Sequence, residues 1–151
     1  FDAKYIFTYP NADYGNKIII DKINEFRQNH DNVYVFYSLG QVKYLSLMKY
    51  TDVMIGNSSS GIIESPSFKL PVVNIGDRQK GRLRNKNIID VGNNEIEIIE
   101  GINKALYNKQ FINSLNDLEN VYGDGTTSEK VVKILKTIEI NEKLLHKKLD
   151  Y

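Results

Sequence analysis

Three serines, a glutamate and an arginine are the residues whose types and spacing could do chemistry here. Ser58, Ser59 and Ser60 follow a short apolar run, Asp52-Val53-Met54-Ile55-Gly56, and lead through Gly61 into a helix-like stretch carrying Glu64. A strand that passes through a turn of small residues into a helix gathers unpaired backbone N–H groups at one point. The helix dipole favours negative charge there. The hydroxyls add donors, and Gly61 reads as the small residue that lets an anion approach the backbone. The plainer account is that Asn57 or a serine simply caps the helix. One further apolar run, Pro71-Val72-Val73-Asn74-Ile75, separates this turn from Gly76-Asp77-Arg78-Gln79-Lys80-Gly81-Arg82. The two together suit a diphosphate.

Glu64 falls one to two turns past the serines, so its carboxylate can project near the same mouth. Beside a diphosphate it would be repelled, but further along a nucleotide it suits the vicinal hydroxyls of a ribose, since a carboxylate can accept from both. Its alternative is a solvated helical glutamate. Arg78, Lys80, Arg82, Arg84 and Lys86 form a cationic loop, and such loops are ordinarily solvated. Position just past a strand singles out Arg78 as a counter-ion for the diphosphate, with Arg82 second and the others left to solvent.

These groups need a scaffold, and the sequence supplies an alternating one. Lys4–Tyr9, Asn32–Leu39, Asp52–Gly56, Pro71–Ile75 and Ile88–Val91 read as strands. Helical spacing links Ile18, Ile19, Ile23 and Phe26, and a short helix covers Gln41–Lys49. A helix over Ser60–Phe68 must be short or bent at Pro66, which cannot sit in a helix interior. Ile96, Ile99, Ile102 and Leu106 mark another helix, Phe111–Leu118 a further one. A turn at Tyr122-Gly123-Asp124-Gly125-Thr126 precedes a last helix with Val131, Ile134, Leu135 and Ile138 on one stripe. Continuous apolar strands alternating with helices predict an α/β, Rossmann-like parallel sheet flanked by helices. Ligands of such sheets sit at the carboxyl ends of the strands, where Asn11, Leu39, Ser58 and Arg78 all fall.

Composition narrows the function classes. The chain has 151 residues, 41% apolar and 26% charged, with no cysteine and only two histidines, His30 and His146. That is one ordinary domain's length, without a disulfide framework or a His/Cys metal site. The formal charge is +1. Removing the five cations of residues 78–86 leaves 15 cations against 19 anions, so positive charge is local, which argues against nucleic acid as partner. No apolar run is long enough to span a bilayer and the opening residues lack a secretory pattern, so a cytoplasmic setting is expected. The start at Phe1 without Met and the charged helix at the end read as a piece of something longer. Neither a Ser/His/Asp set nor a Walker Gly-Lys-Ser is present.

The ordered set Tyr9-Pro10-Asn11-Ala12-Asp13, Gly56-Asn57-Ser58-Ser59-Ser60-Gly61-Ile62-Ile63-Glu64, Asn74-Ile75-Gly76-Asp77-Arg78-Gln79-Lys80-Gly81-Arg82 and Tyr122-Gly123-Asp124-Gly125 resembles the C-terminal domain of UDP-N-acetylglucosamine 2-epimerases. Tyr9–Asp13 and Asn57-Ser58-Ser59 are similar to the hydrolysing branch, which releases UDP and a free 2-epimer such as N-acetylmannosamine for sialic-acid-like sugars. The Asp-Ser-Gly-Gly turn and Thr-Glu-Arg-Pro loop of the non-hydrolysing branch are absent, as is its loop histidine.

The resemblance implies one half of a GT-B fold, with residues 1–151 as a single C-terminal nucleotide-binding domain and the N-terminal domain outside this chain. It implies that Ser58, Ser59, Glu64 and Arg78 contact UDP, that Asn11 lines the cleft and that the backbone around Leu39 meets the uracil. It places the catalytic carboxylates in the N-terminal domain, so no catalytic residue, metal or cofactor is expected here. The expected partners are UDP or a UDP-sugar and that N-terminal domain, in a full-length homo-oligomer. Two other readings stay open at this point: the donor-binding domain of a GT-B glycosyltransferase, and a non-enzymatic nucleotide-sugar binding module.

Overall fold

Every strand is short and runs parallel to its neighbour in the computed structural model, which describes residues 1–146. The chain divides into two compact units, residues 1–51 and residues 52 onward.

In the first unit, β1 (Tyr5–Thr8) is followed by α1 (Asn16–Gln28), β2 (Val33–Phe36) and α2 (Gly40–Tyr50). β1 pairs with β2 from Tyr5↔Val33 to Thr8↔Phe36. Phe26 of α1 meets Tyr5 and Phe7 edge-on, with ring centroids 5.7 and 6.2 Å apart, and Ile23, Val33 and Met48 are buried. Ile18 and Ile19, on the predicted apolar spacing, are exposed.

The second unit contains β3 (Met54–Gly56), α3 (Ser59–Ile63), a 3-10 turn over Ser65–Phe68, β4 (Val72–Ile75), β5 (Ile88–Val91), α4 (Glu95–Tyr107) and α5 (Lys109–Ser114). α6 (Thr127–Thr137) and α7 (Glu142–Leu145) follow, and the end of the expected charged terminal helix lies outside the described residues. The predicted break at Pro66 is present: the α-helix stops at Ile63 and resumes as the tighter 3-10 turn with Pro66 near its start. β4 is central, paired on one side with β3 and on the other with β5. Val73, Ile89 and Ala105 form the core, with Val53, Val91, Ile102 and Phe111 packed on it. Gly101 lets α4 close on the sheet, because a Cβ there would lie 3.0 Å from Val91 Cγ1 and 3.1 Å from Val73 Cγ1. Among the described residues no helix is long and apolar enough to cross a membrane.

The parallel α/β class is as expected. β1 and β2 form a two-stranded sheet within the first unit, and β3, β4 and β5 a three-stranded sheet within the second. The apolar stripe of α6 differs from a core face: Val131, Ile134, Leu135 and Ile138 are all exposed.

Candidate functional site

Parallel register sets the site in the second unit. Gly56 aligns with Asn74, and Asn74 with Asp90, so β3, β4 and β5 release their following loops from one edge of the sheet. Ser58 and Ser59 leave from β3, Arg78 from β4 and Gly92 from β5.

The serine turn is first of all a helix cap. Ser58 is the N-cap of α3, and its Oγ accepts from the Ser60 N–H at 3.3 Å. As an acceptor in that bond it keeps its hydroxyl proton for another partner. Ser58 and Ser59 are both exposed. Gly61 corrects one expectation. It is buried, and a Cβ there would stand 3.1 Å from Val72 Cγ1 and 3.5 Å from Met54 Sδ. Its small size serves the close approach of α3 to β3 and β4, not the approach of an anion.

Glu64 ends α3 as its C-cap, and its N–H bonds the Ser60 carbonyl at 3.0 Å. The residue is half-buried, and its Oε2 is buried with no hydrogen-bond partner. A carboxylate oxygen removed from water and left unpaired is costly. Asn120 braces the same end of α3: its Nδ2 donates to the Ile63 carbonyl at 2.8 Å and to Ser67 Oγ at 2.9 Å.

The cationic loop is pinned rather than loose. Arg78 is exposed, while Gln79 beside it is only 3% exposed and donates from Nε2 to the Asn57 carbonyl at 2.8 Å. Arg84 corrects a second expectation, since it is not a solvated cation. Its Nε meets Asp90 Oδ2 at 3.1 Å and its Nη1 donates to the Arg82 carbonyl at 3.2 Å. Asp90 in turn accepts from Asn74 Nδ2 at 2.6 Å, so a buried β4 amide orients the ion pair. The Tyr122 hydroxyl donates to the Leu83 carbonyl at 3.0 Å, and the Val121 N–H reaches Asn85 Oδ1 at 3.4 Å.

A polar cavity of about 390 Å3 opens at the carboxyl ends of β4 and β5, walled by Asp77, Lys80, Arg84, Asp90, Asn93 and Glu97 among others. Ser58, Ser59, Glu64 and Arg78 are not among its walls. Glu97 is held below the usual carboxylate range by the Gly92 N–H at 2.6 Å and then by the Asn94 side-chain amide. Among the described residues there is no group of three or more His, Cys, Asp or Glu that could hold a metal ion.

Asn11 and Leu39 belong to the first unit. Asn11 is exposed in the loop past β1. That loop is held at Tyr9, whose hydroxyl donates to Asn24 Oδ1 of α1 at 2.9 Å. Leu39 is half-buried before α2 and borders an apolar groove of about 360 Å3 with Ile6, Phe36, Val42, Leu47 and Tyr50.

Sequence reasoning passed over Gln79, Asn87 and Asn120, the amides that fix the loops. Their one available signal was position, directly beside the motifs already singled out.

The parallel α/β unit sends the serine turn and Arg78 from the carboxyl ends of β3 and β4, the edge where sheets of this class bind ligands, while Glu64 lies at the far end of α3. Residues 1–136 match the family model described as UDP-N-acetylglucosamine 2-epimerase, and the chain belongs to that family. It is 46% identical over 149 residues to the GDP/UDP-N,N'-diacetylbacillosamine 2-epimerase (hydrolyzing) of Campylobacter jejuni, covering 97% of this chain and 38% of that protein. It is 42% identical over 138 residues to the UDP-N,N'-diacetylbacillosamine 2-epimerase (hydrolyzing) of Legionella pneumophila, covering 91% of this chain and 35% of that one. The chain thus spans little more than a third of the length of these relatives. The fold is shared with the UDP-GlcNAc 2-epimerase of Neisseria meningitidis, solved bound to UDP-GlcNAc. The TM-score is 0.67 at 22% identity, over 87% of this chain and 36% of that one.

Proposed function

We propose that this chain is the UDP-binding, C-terminal half of a hydrolysing 2-epimerase acting on a UDP-linked 2-acetamido sugar. The observation that carries the reading is the family match over residues 1–136, with the serine turn and Arg78 following adjacent parallel strands from one edge of the sheet. Glu64, half-buried at the end of α3, serves the ribose diol. Ser58, Ser59 and the exposed Arg78 serve the diphosphate, while Asn11 lines the cleft and the backbone at Leu39 meets the uracil. The diacetylated sugar named for the Campylobacter and Legionella relatives is the first substrate to test.

In the whole enzyme, loss of the C2 proton and departure of UDP from C1 leave a glycal. Water then adds with the opposite configuration at C2, giving the free 2-epimer. This half holds the leaving diphosphate, where negative charge grows as the C1–O bond breaks, so its donors count most in the transition state. The groups that move the C2 proton lie in the N-terminal domain. Residues 1–151 alone therefore bind UDP weakly and turn nothing over.

The test is to incubate the full-length protein with UDP-N,N'-diacetylbacillosamine and with UDP-GlcNAc in D2O. UDP release and deuterium at C2 of the free sugar are followed together. Release of UDP with deuterium at an inverted C2 is expected from at least one substrate. Transfer of the sugar to an acceptor without C2 exchange would favour the glycosyltransferase reading, and binding without turnover the module.

A further inference from the structure

Gln79 stands out in the second unit as a buried amide between two exposed cations, Arg78 and Lys80. Stability does not account for it. Its Oε1 is buried with no partner, so an apolar side chain of similar volume would avoid a desolvation cost that glutamine incurs. What glutamine provides is the bond from Nε2 to the Asn57 carbonyl, a direct tie between the loop after β4 and the turn after β3.

The tie has a geometric consequence at each end. In a trans peptide the carbonyl and the next N–H point in opposite directions, so fixing the Asn57 carbonyl also fixes the direction in which the Ser58 N–H is presented. At the other end, Gln79 is anchored in a turn. Its carbonyl accepts from the Arg82 N–H at 3.3 Å, and the Lys80 N–H bonds the Asp77 carbonyl at 2.9 Å. The Cα from which Arg78 departs is therefore held beside a fixed neighbour.

We propose that Gln79 is a positioning residue that sets the spacing between the Ser58 cap and Arg78, and so the fit of a nucleoside diphosphate between them. The proposal rests on the UDP-binding reading given above. Gln79 does not touch the ligand. It acts through the Asn57–Ser58 peptide and through the backbone at Arg78, and misplacing one donor relative to another is expensive where a diphosphate must meet both.

The experiment measures UDP and uridine affinity by calorimetry at fixed salt for full-length wild type, Gln79→Met, Gln79→Leu, Arg78→Ala and the double variant Gln79→Met/Arg78→Ala. Gln79→Met is expected to weaken UDP about tenfold and to leave uridine within about twofold. In the Arg78→Ala background the same change is expected to cost less than about twofold, because the spacing no longer matters once one of its ends is gone. UDP affinity unchanged in Gln79→Met, equal losses for UDP and uridine, or additive losses with Arg78→Ala would each overturn the proposal. Failure of both Gln79→Met and Gln79→Leu to fold would also overturn it, since the role would then be structural. Wild type that binds no UDP strikes instead at the underlying reading.

Discussion

Asn87 donates to Ser65 Oγ at 2.9 Å, both side chains fully buried, and thereby joins the entry of β5 to the turn that follows Glu64. The same Nδ2 donates to the Leu70 carbonyl at 2.7 Å, and Ser65 Oγ donates to the Gly61 carbonyl at 2.6 Å. One amide thus holds α3 and its 3-10 continuation against the sheet.

Asn87→Ala strands the Leu70 carbonyl and removes one partner of Ser65. The opening free energy of the second unit should fall by about 2–3 kcal/mol, the cost of leaving buried acceptors unpaired. Ser65→Ala leaves the Asn87–Leu70 bond in place and should cost about 1 kcal/mol. Hydrogen exchange at the Val73 and Ile89 amides reads both values without assuming that the two units unfold together. Equal effects of the two substitutions would mean that the Leu70 bond contributes nothing.

The large elements were legible because their signals are local. Pro10 and Gly56 bound their strands, and Pro66 broke its helix where a missing N–H requires it. The loop anchors were not legible. Gln79, Asn87 and Asn120 sit among polar neighbours, and nothing in a polar string says which amide turns inward. Arg84 read as solvated because its partner is found only through the β4–β5 register, which sets Asn74 opposite Asp90. Gly61 was misread for a related reason: a strand, a small-residue turn and a helix look alike whether the glycine faces a ligand or Val72. Asn11 and Leu39 fall in one unit and the serine turn in the other.

Glu64→Gln should weaken UDP binding by about 1–3 kcal/mol, the range of a charge-assisted hydrogen bond, with the fold intact. The comparison that isolates the ribose is UDP against 2′,3′-dideoxy-UDP. Wild type should prefer UDP and the variant should bind the two about equally. A wild type indifferent to the two hydroxyls would remove Glu64 from the ribose site.

Asp124 marks a pH dependence at the start of α6. Its carboxylate accepts from Thr126 Oγ1 at 2.5 Å and from the Thr126 N–H at 2.9 Å, with Lys130 Nζ at 3.3 Å. The Thr126 hydroxyl first, then its N–H and Lys130, hold Asp124 well below the usual carboxylate range. A depressed folded pKa means that the contribution is fully present above the unfolded value and is lost as pH falls through the folded one. Protection of the Thr126 amide should therefore be flat from about pH 7 to pH 5 and decline only below about pH 4. Asp124→Asn should remove that acid-limb dependence. Loss of protection already near pH 5 in wild type would contradict the assignment.

Substitutions in the cationic loop should separate by environment. Arg78→Ala should abolish most UDP affinity and leave uridine nearly untouched, because uridine has no phosphate to neutralise. Lysine at position 78 should rescue only in part, since a point charge lacks the guanidinium fork. Lys86 is exposed, and Lys86→Ala should shift UDP binding by a few tenths of a kcal/mol at most, as for a screened surface charge. Arg84 belongs to neither group. Its side chain is 26% exposed and bonded to Asp90, which Asn74 orients, so Arg84→Ala should loosen the loop and lower amide protection around Leu83 and Asn85. Its effect on UDP should be smaller than that of Arg78→Ala and should be matched by Asp90→Asn, which weakens the same pair from the other side. Calorimetry with UDP and uridine across these variants, at fixed salt, makes the comparison. Equal losses of UDP affinity for Arg78→Ala, Arg84→Ala and Lys86→Ala would mean that the loop acts as a diffuse positive field, and Arg78 would have no special place in it.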